Sequence, residues 1–161
     1  SVKAILLLSE KPYFKDLEFR IIGNGRLFDE VLAPVREFGN VYIEKRFLTH
    51  AEIAAMHREY GIFLCPSRMD TQGVSRDEAM SSGLVPVTNA VAAIPEFVDG
   101  ICGCLAPPED SAGLAEGIAR LYESPELFLA MSAAAAERVR LESGRTSTIG
   151  LELSLFTINH I

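Results

Sequence analysis

The chain is poor in cysteine, histidine and basic charge, and it has no long apolar run. Its three cysteines, Cys65, Cys102 and Cys104, are odd in number and too few for a disulfide framework. Cys102 and Cys104 are separated by one residue, which is not the spacing of a structural zinc site. They read as free thiols of a cytoplasmic protein. His50, His57 and His160 have no metal-ligand spacing among themselves or with the cysteines, so no metal is expected. Fifteen Lys and Arg against 22 Asp and Glu leave a net charge of −7, which argues against a basic groove for nucleic acid. No segment approaches the ~18 apolar residues of a membrane span, and the amino end lacks a signal pattern.

What remains is ordinary globular composition, 48% hydrophobic and 23% charged over 161 residues. That is enough for one domain with a proper core and too little for two. The organising stretch is Ile62 to Glu96, IFLCPSRMDTQGVSRDEAMSSGLVPVTNAVAAIPE. Ile62–Cys65 is a short apolar run closed by Pro66-Ser67, which suits a buried parallel strand. Polar residues Arg68 to Gly73 form a loop, Val74 to Ser82 a helix, and Gly83 its C-terminal stop. Leu84–Val87 is a second buried strand, and Ala93 to Glu96 opens another short helix. Polar loops of this kind lie at the carboxyl ends of parallel strands, where open α/β sheets bind ligands.

The residues in that window suggest a chemistry. Asp70 falls in the loop and Glu78 in the first turns of the helix. The backbone N–H groups around Gly73-Val74-Ser75 lack helical acceptors, and a helix start favours an anion such as phosphate. A carboxylate beside a phosphate site would instead accept hydrogen bonds from hydroxyls, as on a ribose or hexose. Together these describe a sugar-nucleotide site. Singly, each residue also has a local reading: Asp70 as a turn or N-cap residue, Glu78 as a carboxylate offsetting the helix dipole.

Pro66-Ser67, Asp70-x7-Glu78, Glu78-Ala79-Met80-x-x-Gly83, Pro86-Val87 and Ile94-Pro95-Glu96, taken in order, resemble the donor-binding half of retaining GT-B glycosyltransferases of the group 1, family 4 type. The resemblance runs from the start of the chain to about Ala134. It implies that Glu78 binds the nucleotide ribose and that Asp70 contacts the transferred sugar, the two carrying the catalytic role. It implies that the amides of Thr71, Gln72, Gly73 and Val74 meet sugar or diphosphate oxygens, with Glu96 also at the donor. The sequence departs from the family at two places. Asp70 stands where the family usually has Glu, one methylene longer, and Ala92-Ala93 replaces a glycine pair.

Along the rest of the chain, Val2 to Glu10 reads as an amphipathic helix and Glu18 to Ile22 as a strand. Gly23-Asn24-Gly25 leads into a helix from about Leu27 to Phe38. Gly23 and Gly25 match the family's donor-lining loop, and they also suit a tight strand-to-helix turn. Val41–Ile43 is a strand, and Thr49 with Glu52 is a capping box opening a helix to about Tyr60. Lys45 and Arg46 either meet a donor phosphate or form a solvated basic pair. The family's "V-x-D-G-x-x-G-x-L-V-x-P-x-D" is followed from Phe97, with a strand expected over Ile101–Leu105 that places Cys102 and Cys104 on one face. Asp110 or Ser111 caps a helix to about Tyr122, and Ser124-Pro125 starts another to about Leu141. In that helix Ala133 to Ala136 is a small-residue face for close packing. Residues 143–161 read as a C-terminal helical tail.

The fold expected from the resemblance is a Rossmann-like α/β domain in three layers, mostly parallel, with helices on both faces. It is expected to be one half of a GT-B enzyme, lacking its first strand and the basic loop after it. An amino-terminal acceptor-binding domain would be its partner, and any membrane contact would come through that absent part. No cofactor is expected beyond the nucleoside-diphosphate sugar substrate. The activity implied is hexosyl transfer in polysaccharide or glycoconjugate synthesis, with this chain inactive alone. A GT-B epimerase or phosphorylase is the nearest rival. No lysine follows Lys45 to hold a phosphorylase's pyridoxal phosphate. The other rival is a non-catalytic Rossmann-like interaction module.

Overall fold

The computed structural model describes residues 1–69, 73–144, 149 and 153. Five strands, all parallel, alternate with helices. They are β1 (Phe19–Gly23), β2 (Val41–Lys45), β3 (Ile62–Cys65), β4 (Val85–Asn89) and β5 (Cys104–Ala106). The helices are α1 (Val2–Leu8), α2 (Phe28–Leu32), α3 (His50–His57), α4 (Val74–Ser81), α5 (Ile94–Phe97), α6 (Ser111–Glu123) and α7 (Pro125–Glu142).

The strands form two groups, β1-β2 and β3-β4-β5. β1 pairs in register with β2 from Phe19↔Val41 to Gly23↔Lys45, and β3 with β4 from Ile62↔Val85 to Cys65↔Thr88. Among the described residues no ladder joins β1 to β3; both instead border one cavity of about 520 Å³. Every residue of β4 is buried, as a strand covered on both faces must be.

Two hydrophobic clusters lie on the two sides. One joins Ala4, Ile5 and Leu8 of α1 to Leu114 and Ile118 of α6 and to Val85 and Val87 of β4. The other joins Met80 of α4, Ile94 of α5 and Ala135 of α7. Helices on both faces of parallel strands are the layered α/β arrangement that the sequence leads one to expect. Ala135 is fully buried where α7 crosses α4, so the small-residue stretch does permit close approach.

Four local expectations need correction. The helix after Gly25 ends at Leu32, followed by a 3-10 turn over Ala33–Val35, because Pro34 removes an N–H and its ring opposes a continuous helix. The third helix stops at His57 rather than near Tyr60. The expected strand over Ile101–Leu105 is confined to Cys104–Ala106. Asp99 is the reason: its Oδ1 accepts from Ile101 N at 2.9 Å and from Cys102 N at 3.3 Å, holding those residues in a turn. Cys102 and Cys104 therefore do not share a strand face. Most of the expected tail over residues 143–161 lies outside the described residues.

Candidate functional site

The carboxyl ends of β1, β2 and β3 and the start of α4 meet around the upper end of the cavity. Gly23 closes β1, Arg46 and Phe47 follow β2, and Ser75 and Glu78 come from the first turns of α4; all five line it. Ser75 and Glu78 are three apart, so they share one face of α4. Ser1, Leu17 and Tyr60 line the opposite end.

Local sequence sets each wall. At α3 the Thr49 hydroxyl accepts from Glu52 N at 3.3 Å, while Glu52 Oε2 accepts from Thr49 N at 2.8 Å. That capping box puts His50 at the first helical position, where its Nδ1 lies 3.8 Å from Glu78 Oε1. His57, two turns further on, is buried on the same cavity, edge-on to Phe63. Burial pushes its imidazolium below the ordinary histidine range, and the Glu78 carboxylate partly offsets that.

At α4 the N-cap is Gly73 with φ 64°, a left-handed conformation that glycine takes without strain. The following Val74 is 62% exposed. The N–H groups of this first turn have no intrahelical acceptor by geometry, and the helix dipole adds positive potential there. An anion at the helix start and a hydroxyl on Glu78 are the ligand groups this arrangement can take.

The expected site residues fall into three sets. Gly23, Arg46 and Glu78 are brought together on one cavity. Gly25, Lys45, Gly73, Val74 and Glu96 are not on its lining. Asp70, Thr71 and Gln72 lie outside the described residues. Arg46 is already engaged, pairing with Glu44 at 2.8 Å and Glu52 at 2.7 Å. Lys45 pairs with Asp29, which also meets Arg36 at 2.9 Å. Glu96 is exposed on α5. The two glycines after β1 also differ. A Cβ on Gly23 would crowd Phe28 at 3.3 Å, whereas one on Gly25 would meet nothing.

Ser75, Phe47, His50 and His57 were not legible as a group from residue type. The capping box at Thr49 gave the one signal available, since it sets His50 and His57 seven apart on one helix face. The departure at Ala92-Ala93 has a structural counterpart: Ala92 sits at φ 47°, a conformation that glycine would take at less cost. Among the described residues no group of three or more His, Cys, Asp or Glu could hold a metal ion. Nor is any helix among them long and apolar enough to cross a membrane.

Comparison with known proteins gives a consistent result. The family model "Glycosyl transferases group 1" matches residues 1–124. The C-terminal domain of a glycosyl transferase group 1 family protein, LpcC from Francisella tularensis, superposes with a TM-score of 0.78 at 22% identity, covering 89% of this chain and 77% of that one. A TarM variant from S. aureus, solved with UDP among its ligands, superposes at 0.80 with 19% identity, covering 96% of this chain and 31% of TarM. The pneumococcal O-GlcNAc transferase GtfA, in complex with UDP and GlcNAc, gives 0.74 at 22% identity, with 99% and 33% covered. The chain thus spans about a third of the TarM and GtfA chains. No curated protein sequence matches it.

Proposed function

The chain belongs to the group 1 glycosyl transferases, and from that premise we propose that it is the donor-binding domain of a retaining enzyme that moves a sugar from a nucleoside diphosphate to an acceptor. The observation that carries this reading is the placement of Ser75 and Glu78 at the start of α4, on a cavity at the carboxyl ends of parallel strands. Glu78 accepts hydrogen bonds from the ribose hydroxyls. The N–H groups of the α4 first turn take charge that develops on the β-phosphate as the sugar leaves, which is electrostatic stabilisation where it is needed. Asp70 orients the sugar. The acceptor attacks from the leaving-group face, giving retention, and no metal or other cofactor has a role.

The first strand of the domain would run between β1 and β3 and enter α1 at Ser1, with the basic loop after it meeting the diphosphate. An amino-terminal domain binds the acceptor, and the isolated chain turns over little or nothing. A cytoplasmic enzyme of polysaccharide or glycoconjugate synthesis fits an acidic chain with free thiols.

Calorimetric titration of the chain with UDP, GDP and ADP tests the reading. One diphosphate is expected to bind selectively, and Glu78→Ala to weaken it by about tenfold or more, the worth of a charge-assisted hydrogen bond. The reading fails if no diphosphate binds either this chain or one carrying an added central strand. It fails equally if Glu78→Ala leaves the affinity unchanged.

A further inference from the structure

Arg76 is the largest fully buried side chain among the described residues, and the donor chemistry does not use it. It stands between Ser75 and Glu78 in sequence but on another face of α4, directed away from the cavity that they line. Its guanidinium carbon lies 4.7 Å from the centroid of the Phe97 ring on α5, a cation–π distance. Its Nε and Nη2 donate to Asp77 Oδ1 at 3.0 and 2.8 Å. On its other side is Gly73, where an added Cβ would overlap the guanidinium group. Gly73 is thus required twice, by its left-handed φ of 64° and by the cation behind it. Asp77 in turn is 3.3 Å from the Ser143 hydroxyl at the end of α7.

A buried ion pair is a poor device for stability alone, because well-packed apolar residues of similar volume commonly do as well or better. A planar, forked cation gives directional contacts that fix several elements in one geometry. The elements tied together here are the Gly73 turn, the first turn of α4, and α5. We propose that Arg76 is a positioning residue of the donor site. Its guanidinium, wedged between the Gly73 backbone and the Phe97 ring, holds the start of α4 at fixed depth, so that the N–H groups there and Glu78 meet one ligand together. Through Phe97 it also sets α5, and hence the neighbouring Glu96, relative to α4. This rests on the donor-site reading above.

The test uses hydrogen exchange and nucleotide titration on the full chain with Arg76→Met, Arg76→Lys and Phe97→Leu. Arg76→Met is expected to speed exchange of the Asp77–Ser81 amides, which donate within α4, by about tenfold while leaving β4 and α6 amides and the urea midpoint unchanged. Lysine keeps the charge but not the fork, so Arg76→Lys should restore little of the protection. Phe97→Leu should move exchange in the same direction by less, which covers the case in which Arg76 variants fold poorly. Whichever of UDP, GDP or ADP binds the parent chain should bind Arg76→Met about tenfold more weakly, with its nucleoside, which meets Glu78 but not the amides, weakened by less. Unchanged or uniformly faster exchange would overturn the proposal. So would equal losses for nucleotide and nucleoside. Local loosening without any nucleotide bound by the parent chain would overturn the assignment to a donor site, and would separate that failure from a failure of the anchoring itself.

Discussion

The two strand groups are built from different materials. In β3-β4-β5 every residue of β4 is buried, and helices cover it from both sides. In β1-β2 only Val41 among the strand residues is buried. Charged pairs dress this sheet's surface: Arg20 with Glu44, Arg46 with Glu44 and Glu52, Lys45 with Asp29. Exposed pairs of that kind contribute little, typically below about 1 kcal/mol. The larger group can stand on its burial. The smaller one enters the cluster shared with β4 and α6 through Val41 and is otherwise held by its own ladder, so the cavity lies between a firm side and a soft one.

The sharpest way to break this contrast is a polar substitution on each side. Val87→Asn in β4 places an amide among Val85, Cys104 and the α6 core, where it both loses apolar burial and strands polar atoms. A loss of about 3–5 kcal/mol is expected, enough to unfold many domains of this size. Ile21→Asn in β1 faces the cavity wall and should cost about 1 kcal/mol, close to the mean for a point substitution. Urea denaturation of both variants checks the ratio. Equal losses would mean that the edge of the shared cluster carries as much stability as its centre.

The second prediction sharpens the contrast by repairing the soft side. A five-residue valine and isoleucine strand joined to Ser1 by a short turn should pair with both β1 and β3. Parallel order across the cavity would then follow the 3-2-1-4-5-6 arrangement of doubly wound folds. Amides of β1 and β3 should become protected from exchange, and the urea midpoint should rise. No new protection in either strand would rule out the central position for that segment.

How much of this was legible beforehand follows the same division. On the firm side, short apolar runs bounded by Pro66 and Gly83 gave β3 to the residue and β4 two residues short at its end, and of Asp110 and Ser111 it is Asp110 that caps α6, its Oδ1 accepting from Gly113 N at 2.9 Å. Local signals agree with packing there. The error at Ile101–Leu105 arose because apolar residues predict burial, and Cys102 is buried, but in a turn that the Asp99 side chain imposes. Glu78 could be placed because helix spacing projects it onto the face of Ser75. Its partners on α3 could not, since they depend on how a β2–α3 crossover returns past the cavity. The role of Arg76 was hidden too, because its contacts with Gly73 and Phe97 need the third dimension.

Ala92 gives a smaller effect on the firm side. Its φ of 47° costs an L-residue about 1–2 kcal/mol, whereas glycine would cost about 0.4–1 kcal/mol more in unfolded-chain entropy. Strain relief is the larger of the two, so Ala92→Gly should stabilise by about 0.5 kcal/mol in thermal or urea unfolding. A net loss would show that packing around the Ala92 methyl outweighs the backbone strain.

The smallest effect compares two carboxylates, one on each side. Arg138 and the Ile101 amide hold Asp99 at about 2. The Thr49 amide and Arg46 do the same for Glu52, also to about 2. Both folded values lie below the ordinary carboxylate range near 4. Stability contributed by either group is therefore present above about pH 4 and is lost as pH falls from there through about 2. Both pairs are solvent-screened, so the acid limb should be shallow. Carbonyl-carbon NMR titration should place both midpoints near 2, and Asp99→Asn should flatten part of the limb without changing stability at pH 7 through any other group. The contrast between the two sides predicts that salt separates them. Asp99 is held by Arg138, 24% exposed, and by two backbone amides, and Glu52 by the amide and hydroxyl of Thr49 and by Arg46, 42% exposed. Raising ionic strength should move the Glu52 midpoint up further than that of Asp99, because Debye screening weakens the more exposed Arg46 pair more than the Arg138 pair.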